Sequence, residues 1–275
     1  MPPIPATDQL ELSVDSGVAV VTLNRPQRLN AITDDMMRAF AGLWGGLDAD
    51  PEVRVIVITG AGRGFCGGAD VGALAEADEK PGEYQRLLSP RSCGVYKPVV
   101  AAVNGVCAGA GLHFVCDADL VLAADSATFL DPHVNVGQVS ALEPISLSRV
   151  VPLGAVLRMV LLGSHERMTA SRAQEVGLVS EVVPLERLMP RTRELASAIA
   201  SASPAAVQGS LRAIWSGLDR GLSDALDEGW RILIDHRSHP DSREGPAAFL
   251  ERRPPAWTVG PALSSDPSET PKEAE

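Results

Sequence analysis

Two glycine-rich stretches are where this sequence could do chemistry. The first is Gly60-Ala61-Gly62-Arg63-Gly64-Phe65-Cys66-Gly67-Gly68-Ala69-Asp70-Val71, and it follows a β-rich run. The second is Asn104-Gly105-Val106-Cys107-Ala108-Gly109-Ala110-Gly111, which also follows a strand pattern and opens into a helix. Glycine lets a backbone approach a ligand closely and take φ values that other residues avoid. A helix start adds free N–H groups and a positive dipole end. Two such turns at the ends of neighbouring parallel strands could aim two N–H donors at one oxygen, which is the geometry of an oxyanion hole. Either turn by itself is equally well an ordinary tight βα turn. Neither matches the P-loop or the dinucleotide fingerprint.

The elements that must position these turns are legible as patterns. Leu10 to Val14 and Val18 to Leu23 are β-rich. Thr33 is placed to cap a helix whose Met36, Phe40, Leu43, Trp44 and Leu47 share one face. Val53 to Thr59, Pro98 to Val103 and Asp119 to Ala123 read as buried strands. Strand, glycine-rich turn and helix in repetition predict an α/β fold with a largely parallel sheet. The residues themselves show no internal repeat. From Thr169 the texture changes: a short helix ends at Gly177, and Leu178 to Val183 is a brief strand. Helical patterns then cover 185–202, 204–217, 221–237 and 243–252. The expected organisation is a core at 8–195, a helical region at 196–258 and a disordered tail at 259–275. The stretch from Lys80 to Tyr96 is expected to add a helix beside the pocket.

Composition narrows the partners. The 275 residues carry a formal net charge of −11, and no basic run is present. Nucleic acid and anionic membrane surfaces are therefore poor candidates. No apolar run is long enough to span a bilayer, and the Met1-Pro2-Pro3-Ile4-Pro5 start lacks signal-peptide features. Cys66, Cys93, Cys107 and Cys116 fit no zinc or disulfide spacing. Reduced thiols in a cytoplasmic protein with no metal are the expectation. Cys66 lies beside the first turn and is expected to pack rather than to act as a nucleophile. His236 and His239 are read as surface residues, and His165 as solvent-facing. No Gly-x-Ser-x-Gly elbow supports a serine hydrolase, although Ser140 falls near the expected site.

Five segments in order resemble the crotonase (enoyl-CoA hydratase/isomerase) superfamily over about residues 8 to 257. They are Asn24-Arg25-Pro26-Gln27-Arg28-Leu29-Asn30-Ala31, Gly64 to Val71, Asn104 to Asp119, Thr169 to Pro184, and Glu244-Gly245 followed by Ala248-Phe249-Leu250-Glu251-Arg252-Arg253. The resemblance implies a spiral of ββα units with a C-terminal helical region that builds homotrimers or hexamers. It implies an acyl-CoA thioester as substrate, with coenzyme A part of that substrate and no separate cofactor. The oxyanion hole would be the N–H groups of Ala69 and Ala110. Relatives usually have glycine at the second position, and alanine keeps the donor if its φ is negative. Arg25, Arg28, Ala31, Gly68, Asp70, Val71 and Gly72 would line coenzyme A, with Phe249 and Arg252 meeting it from the C-terminal region.

The pattern breaks at the acid/base positions. Hydratases of this family use two glutamates there, and the matching positions here are His113 and His133. Imidazole, with an unperturbed pKa of about 6.5, suits proton transfer near neutrality. The expectation is that His113 and His133 form the proton-transfer pair. Asp131 could orient His133 or simply shape its turn. Glu143 is a third candidate acid, or else a glutamate favoured at a helix start. The function expected is an acyl-CoA enzyme working through a thioester enolate. The alternative is an acyl-CoA-binding protein without hydratase activity.

Overall fold

The structure is a computed structural model that describes residues 7–70, Gly72 and residues 88–258. Val71, residues 80–87 of the stretch from Lys80 to Tyr96, and the tail expected to be disordered lie outside the described residues. The chain divides into two compact units between Ala200 and Ser201. The helix Leu185–Ala200 runs through residue 195, where the sequence places the boundary.

The first unit is built on two sheets. Strands β1 (Leu10–Asp15) and β2 (Val18–Leu23) form an antiparallel hairpin. β2 then pairs in parallel with β3 (Val55–Gly60), β3 with β5 (Val99–Val103), and β5 with β7 (Leu120–Ala124). β10 (Glu181–Val183) closes the edge beside β7. The smaller sheet is β4 (Gly64–Cys66), β6 (Val106–Ala108), β8 (Thr128–Leu130) and β9 (Met168–Thr169), in that spatial order. β4, β6 and β8 run parallel, and β9 is antiparallel to β8.

The chain therefore makes the same circuit three times: large sheet then small sheet, as β3–β4, β5–β6 and β7–β8. The second and third circuits lead on to helices. This is the expected ββα spiral. The repetition is one of topology, so the residues do not display it. Every residue of β5 is buried, and β3 is buried from Val55 to Thr59. Such strands read as continuous apolar runs because both faces are covered.

Helix α1 (Asp34–Ala49) starts where Thr33 accepts a hydrogen bond from the Met36 N–H at 3.2 Å. That bond satisfies one otherwise orphaned donor. Met36, Phe40, Leu43, Trp44 and Leu47 are all buried, as their spacing requires. Phe40 stacks on Trp44 at 5.4 Å and meets Phe114 edge-on at 5.3 Å. Phe114 belongs to helix α2 (Gly111–Cys116). Helices α3 (Leu142–Leu147) and α4 (Leu153–Leu162) follow the small sheet. Thr169 caps helix α5 (Ala170–Glu175), and α6 (Leu185–Ala200) packs on β2, β3, β5 and β7.

The second unit contains α7 (Pro204–Gly217), α8 (Leu222–His236) and α9 (Asp241–Glu251). Ser203 caps α7 and also donates to Asp241 at 2.5 Å. Glu244 pairs with Arg253 at 2.6 Å and accepts the Ala256 N–H. The last motif singled out in the sequence is thus a self-contained clamp. No helix among the described residues is long and apolar enough to cross a membrane.

Candidate active site

β4 and β6 lie side by side, with Cys66 opposite Cys107. The turns that leave them are therefore neighbours. Gly68 and Gly109 both have positive φ, +101° and +47°. A side chain on Gly109 would come within 3.7 Å of the Gly68 Cα. One on Gly68 would come within 3.3 Å of the Ala108 carbonyl oxygen. Only glycine permits that backbone and that approach together.

This contact brings the two following residues, Ala69 and Ala110, to adjacent places. Ala69 forms an isolated parallel bridge with Ile32. The bridge uses the Gly68 carbonyl and the Asp70 N–H, so the Ala69 N–H faces away from Ile32. Ala110 precedes the first residue of α2 with φ −51°. The negative φ that an alanine donor requires is present. Among the described residues neither the Ala69 nor the Ala110 N–H donates to a protein acceptor.

Two asparagines hold the first turn. Asn30 is fully buried, and its amide donates to the carbonyls of Ala61, Gly64 and Phe65 while accepting the Arg25 N–H. Asn104 accepts from the Gly60 N–H and donates to Gly62 and Gly64. Both were visible as motif letters, but nothing in their spacing revealed that they tie one turn.

The histidines meet at a carboxylate. His113 stands one turn into α2, and its Nε2 lies 3.3 Å from Glu143 Oε1. His133 Nε2 lies 3.8 Å from the same oxygen. His133 Cε1 is 3.4 Å from where a Gly109 side chain would begin, which puts the ring beside the paired amides. On its other edge, His133 Nδ1 is 2.5 Å from Asp131 Oδ1. Glu143 is buried and Asp131 completely so, whereas the side chains of His113 and His133 keep 18% and 24% of their exposure. Both rings are more open than either carboxylate; Asp131 is sealed, and Glu143 keeps a small exposed face of 6%.

Charge follows this geometry. Burial pushes the Asp131 carboxyl up, but the His133 ring, the Ser140 hydroxyl and the His133 N–H outweigh it and hold the group below the usual carboxylate range. Burial likewise raises Glu143, and the hydrogen bond and charge of His113, with the charge of His133, pull it lower than they find it. The hydrogen bond to Asp131 raises His133 against the effect of burial, and the charges of Glu143 and Asp131 add to the rise. These effects favour ionised Asp131 and Glu143 and favour a proton on the His133 ring between them.

The sequence matches a known family along nearly the whole chain. The family model for enoyl-CoA hydratase/isomerase matches residues 13–260. The chain belongs to the enoyl-CoA hydratase/isomerase family. Among curated relatives of this family, (E)-benzylidenesuccinyl-CoA hydratase of Thauera aromatica is 35% identical over 254 residues, covering 90% of this chain and 97% of that protein. Short-chain-enoyl-CoA hydratase of Clostridium acetobutylicum is 32% identical, covering 88% and 94%. The crystal structure of an enoyl-CoA hydratase/isomerase from Mycobacterium paratuberculosis superposes with a TM-score of 0.87 at 39% identity, covering 93% of this chain and 100% of that one. The protein is a hydratase/isomerase-type enzyme of acyl-CoA metabolism.

The structure brings some of this family member's expected ligand residues together. Arg25 donates to the Ala31 carbonyl at 2.6 Å and pairs with Asp70 at 3.1 Å. Asp70 in turn accepts the Gly72 N–H. Arg25, Ala31, Gly68, Asp70 and Gly72 therefore form one corner, with the Arg25 guanidinium engaged inside it. Arg28 is exposed at the end of the 3-10 turn Pro26–Arg28. Phe249 and Arg252 belong to the second unit, Phe249 83% exposed and Arg252 left-handed at the end of α9. Of the stretch up to Tyr96, residues 88–96 are described and hold a 3-10 turn, Arg91–Cys93; the rest of the expected helix lies outside the described residues. Burial pushes the Cys66 thiol up to about 12, so it packs and does not attack.

Proposed function

We propose that this enzyme grips a thioester carbonyl oxygen with the N–H groups of Ala69 and Ala110 and moves protons with His113, His133 and Glu143. A thioester carbonyl gains negative charge as its α-carbon becomes enolate-like. One preorganised donor aimed at that charge is worth about 2.7–4 kcal/mol. Two free amides on neighbouring turns supply the pair. The observation that carries the reading is Glu143, with His113 Nε2 at 3.3 Å and His133 Nε2 at 3.8 Å beside those amides.

Sequence reasoning gave the proton work to the two histidines and held Glu143 in reserve. The geometry supports a three-member set. Glu143, kept ionised, accepts a proton from the substrate carbon or from an attacking water. His133, kept protonated, returns one. His113 steadies the Glu143 charge and accepts the proton next. A non-catalytic acyl-CoA binder would gain nothing from a buried acid held between two imidazoles.

In this reading the substrate is an acyl-CoA thioester, coenzyme A enters only as part of it, and neither nucleic acid nor a membrane is a partner. Arg25, Arg28, Ala31, Gly68, Asp70 and Gly72 line its nucleotide and pantetheine. The exposed Leu222, Leu226, Trp230 and Leu250 of the second unit support self-association, which we read as a homotrimer or hexamer. The test is turnover of a panel of 2-enoyl-CoA thioesters by wild type, His113→Ala, His133→Ala and the double variant. Each single change should lower kcat by about 10²–10⁴. Activity that survives in the double variant would sink the acid/base assignment.

A further inference from the structure

His133 is held by more than its own rotamer. The hydrogen bonds that Asp131 accepts among the described residues all come from one loop. Its Oδ1 takes the His133 N–H at 3.2 Å and the ring Nδ1 at 2.5 Å. Its Oδ2 takes the Ser140 hydroxyl. Residues 134–139 between these anchors are exposed, with Val139 at 85%. They touch the rest of the unit through Asn135, whose Oδ1 accepts the Ser164 N–H. Ser140 comes three residues before Glu143, at the entry to α3. Asp131 therefore joins the turn that carries His133 to the helix that carries Glu143.

We propose that Asp131 and Ser140 are positioning residues: Ser140 orients the Asp131 carboxylate, and Asp131 keeps a proton on His133 Nδ1 so that Nε2 is the nitrogen exchanging protons on the Glu143 side. The chemistry requires this division. A neutral imidazole has one donor and one acceptor nitrogen, and the hydrogen bond on one edge decides which is which. A buried carboxylate with one oxygen already committed to a hydroxyl cannot rotate freely. The groups facing His133 are Asp131 on the Nδ1 edge and Glu143 on the Nε2 edge, with His113 beyond Glu143. No other titratable side chain among the described residues pairs with the ring.

The inference rests on the proposed acyl-CoA chemistry only for its effect on rate. Its direct test needs no substrate. The full chain, labelled with 15N in its histidine rings, is titrated by NMR, and His133→Gln identifies the His133 signals by their loss. Wild type should show Nδ1 protonated in both charge states. Asp131→Asn keeps the shape and removes the charge, so the His133 midpoint should move down by about one pH unit or more. Ser140→Ala frees the carboxylate, so the neutral ring should give shifts between those of the two tautomers. With an active substrate in hand, kcat should fall by about tenfold in either variant with KM unchanged, and the limb of the pH profile set by His133 should move with the NMR midpoint. Ser140→Thr should restore both. A His133 titration identical in wild type and Asp131→Asn overturns the proposal, and unchanged ring shifts in Ser140→Ala remove Ser140 from it. An NMR response without any acyl-CoA turnover would instead sink the reaction assigned above and leave the clasp standing.

Discussion

A backbone donor can be removed here with unusual selectivity, by Ala110→Pro. Proline fixes φ near −65 ± 15° and deletes one N–H. Ala110 already sits at φ −51°, before the first turn of α2, where proline is tolerated. Its N–H donates to no protein acceptor among the described residues, so no internal hydrogen bond is lost. The restriction falls on Gly109, at φ +47°. It is offset in part by the lower entropy of the unfolded chain, about 0.4–1 kcal/mol. Folding should survive. Catalysis should not: losing one donor of about 2.7–4 kcal/mol lowers kcat by about 10²–10³. The ring Cδ also occupies the amide hydrogen's place and displaces the acyl oxygen. The assay is enoyl-CoA turnover, with thermal unfolding to show the fold and free coenzyme A binding to show that the nucleotide end still docks. Ala110→Gly retains the donor and should stay within about threefold of wild type. A folded Ala110→Pro enzyme within about tenfold of wild type would refute the paired-amide argument.

Two further outcomes concern stability. His133 titrates higher in the folded chain than in the unfolded one. Its contribution is complete below its unfolded pKa, about 6.5, and is lost as pH rises through the folded value. Asp131 and Glu143 titrate lower when folded, so theirs is present above an unfolded value of about 4 and is lost as pH falls through the folded one. The thermal midpoint should therefore fall toward both acid and alkaline pH, and His133→Gln should flatten the alkaline side. Parallel alkaline limbs in the two proteins would contradict the coupling. Separately, Phe40→Ala empties the space between Trp44 and Phe114 behind α2. Urea unfolding should show a loss of about 3–5 kcal/mol. A loss below about 1 kcal/mol would mean that the helix bearing His113 collapses to fill the cavity.

What the residues disclosed follows from how much periodicity each element has. β3, β5 and β7 are long enough to show an unbroken apolar run, and α1 shows a stripe. Their ends moved by one or two residues, as frayed ends do. The three-residue strands β4, β6 and β8 are too short to show any period, and β4 and β6 hide inside the glycine-rich stretches. The second turn does not pass directly from β5 to α2, because β6 intervenes. That missed strand is the one whose pairing with β4 sets Ala69 beside Ala110.

The acid/base site divides the same way. His113 and His133 stand out because the family resemblance implies glutamate at both places. Their convergence on Glu143 is not legible in the sequence, since nine residues separate His133 from Glu143, which stands on a helix of its own. The Asp131–Ser140 contact spans nine residues of irregular chain, which no local rule anticipates. The two histidines do not stand without carboxylates: Asp131 lies behind one ring and Glu143 between both. An imidazole flanked by two ionised acids stays charged at a pH where an isolated one would not. In the proposed mechanism the proton donor and the proton acceptor are chemically distinct groups, and their roles are assigned before substrate arrives.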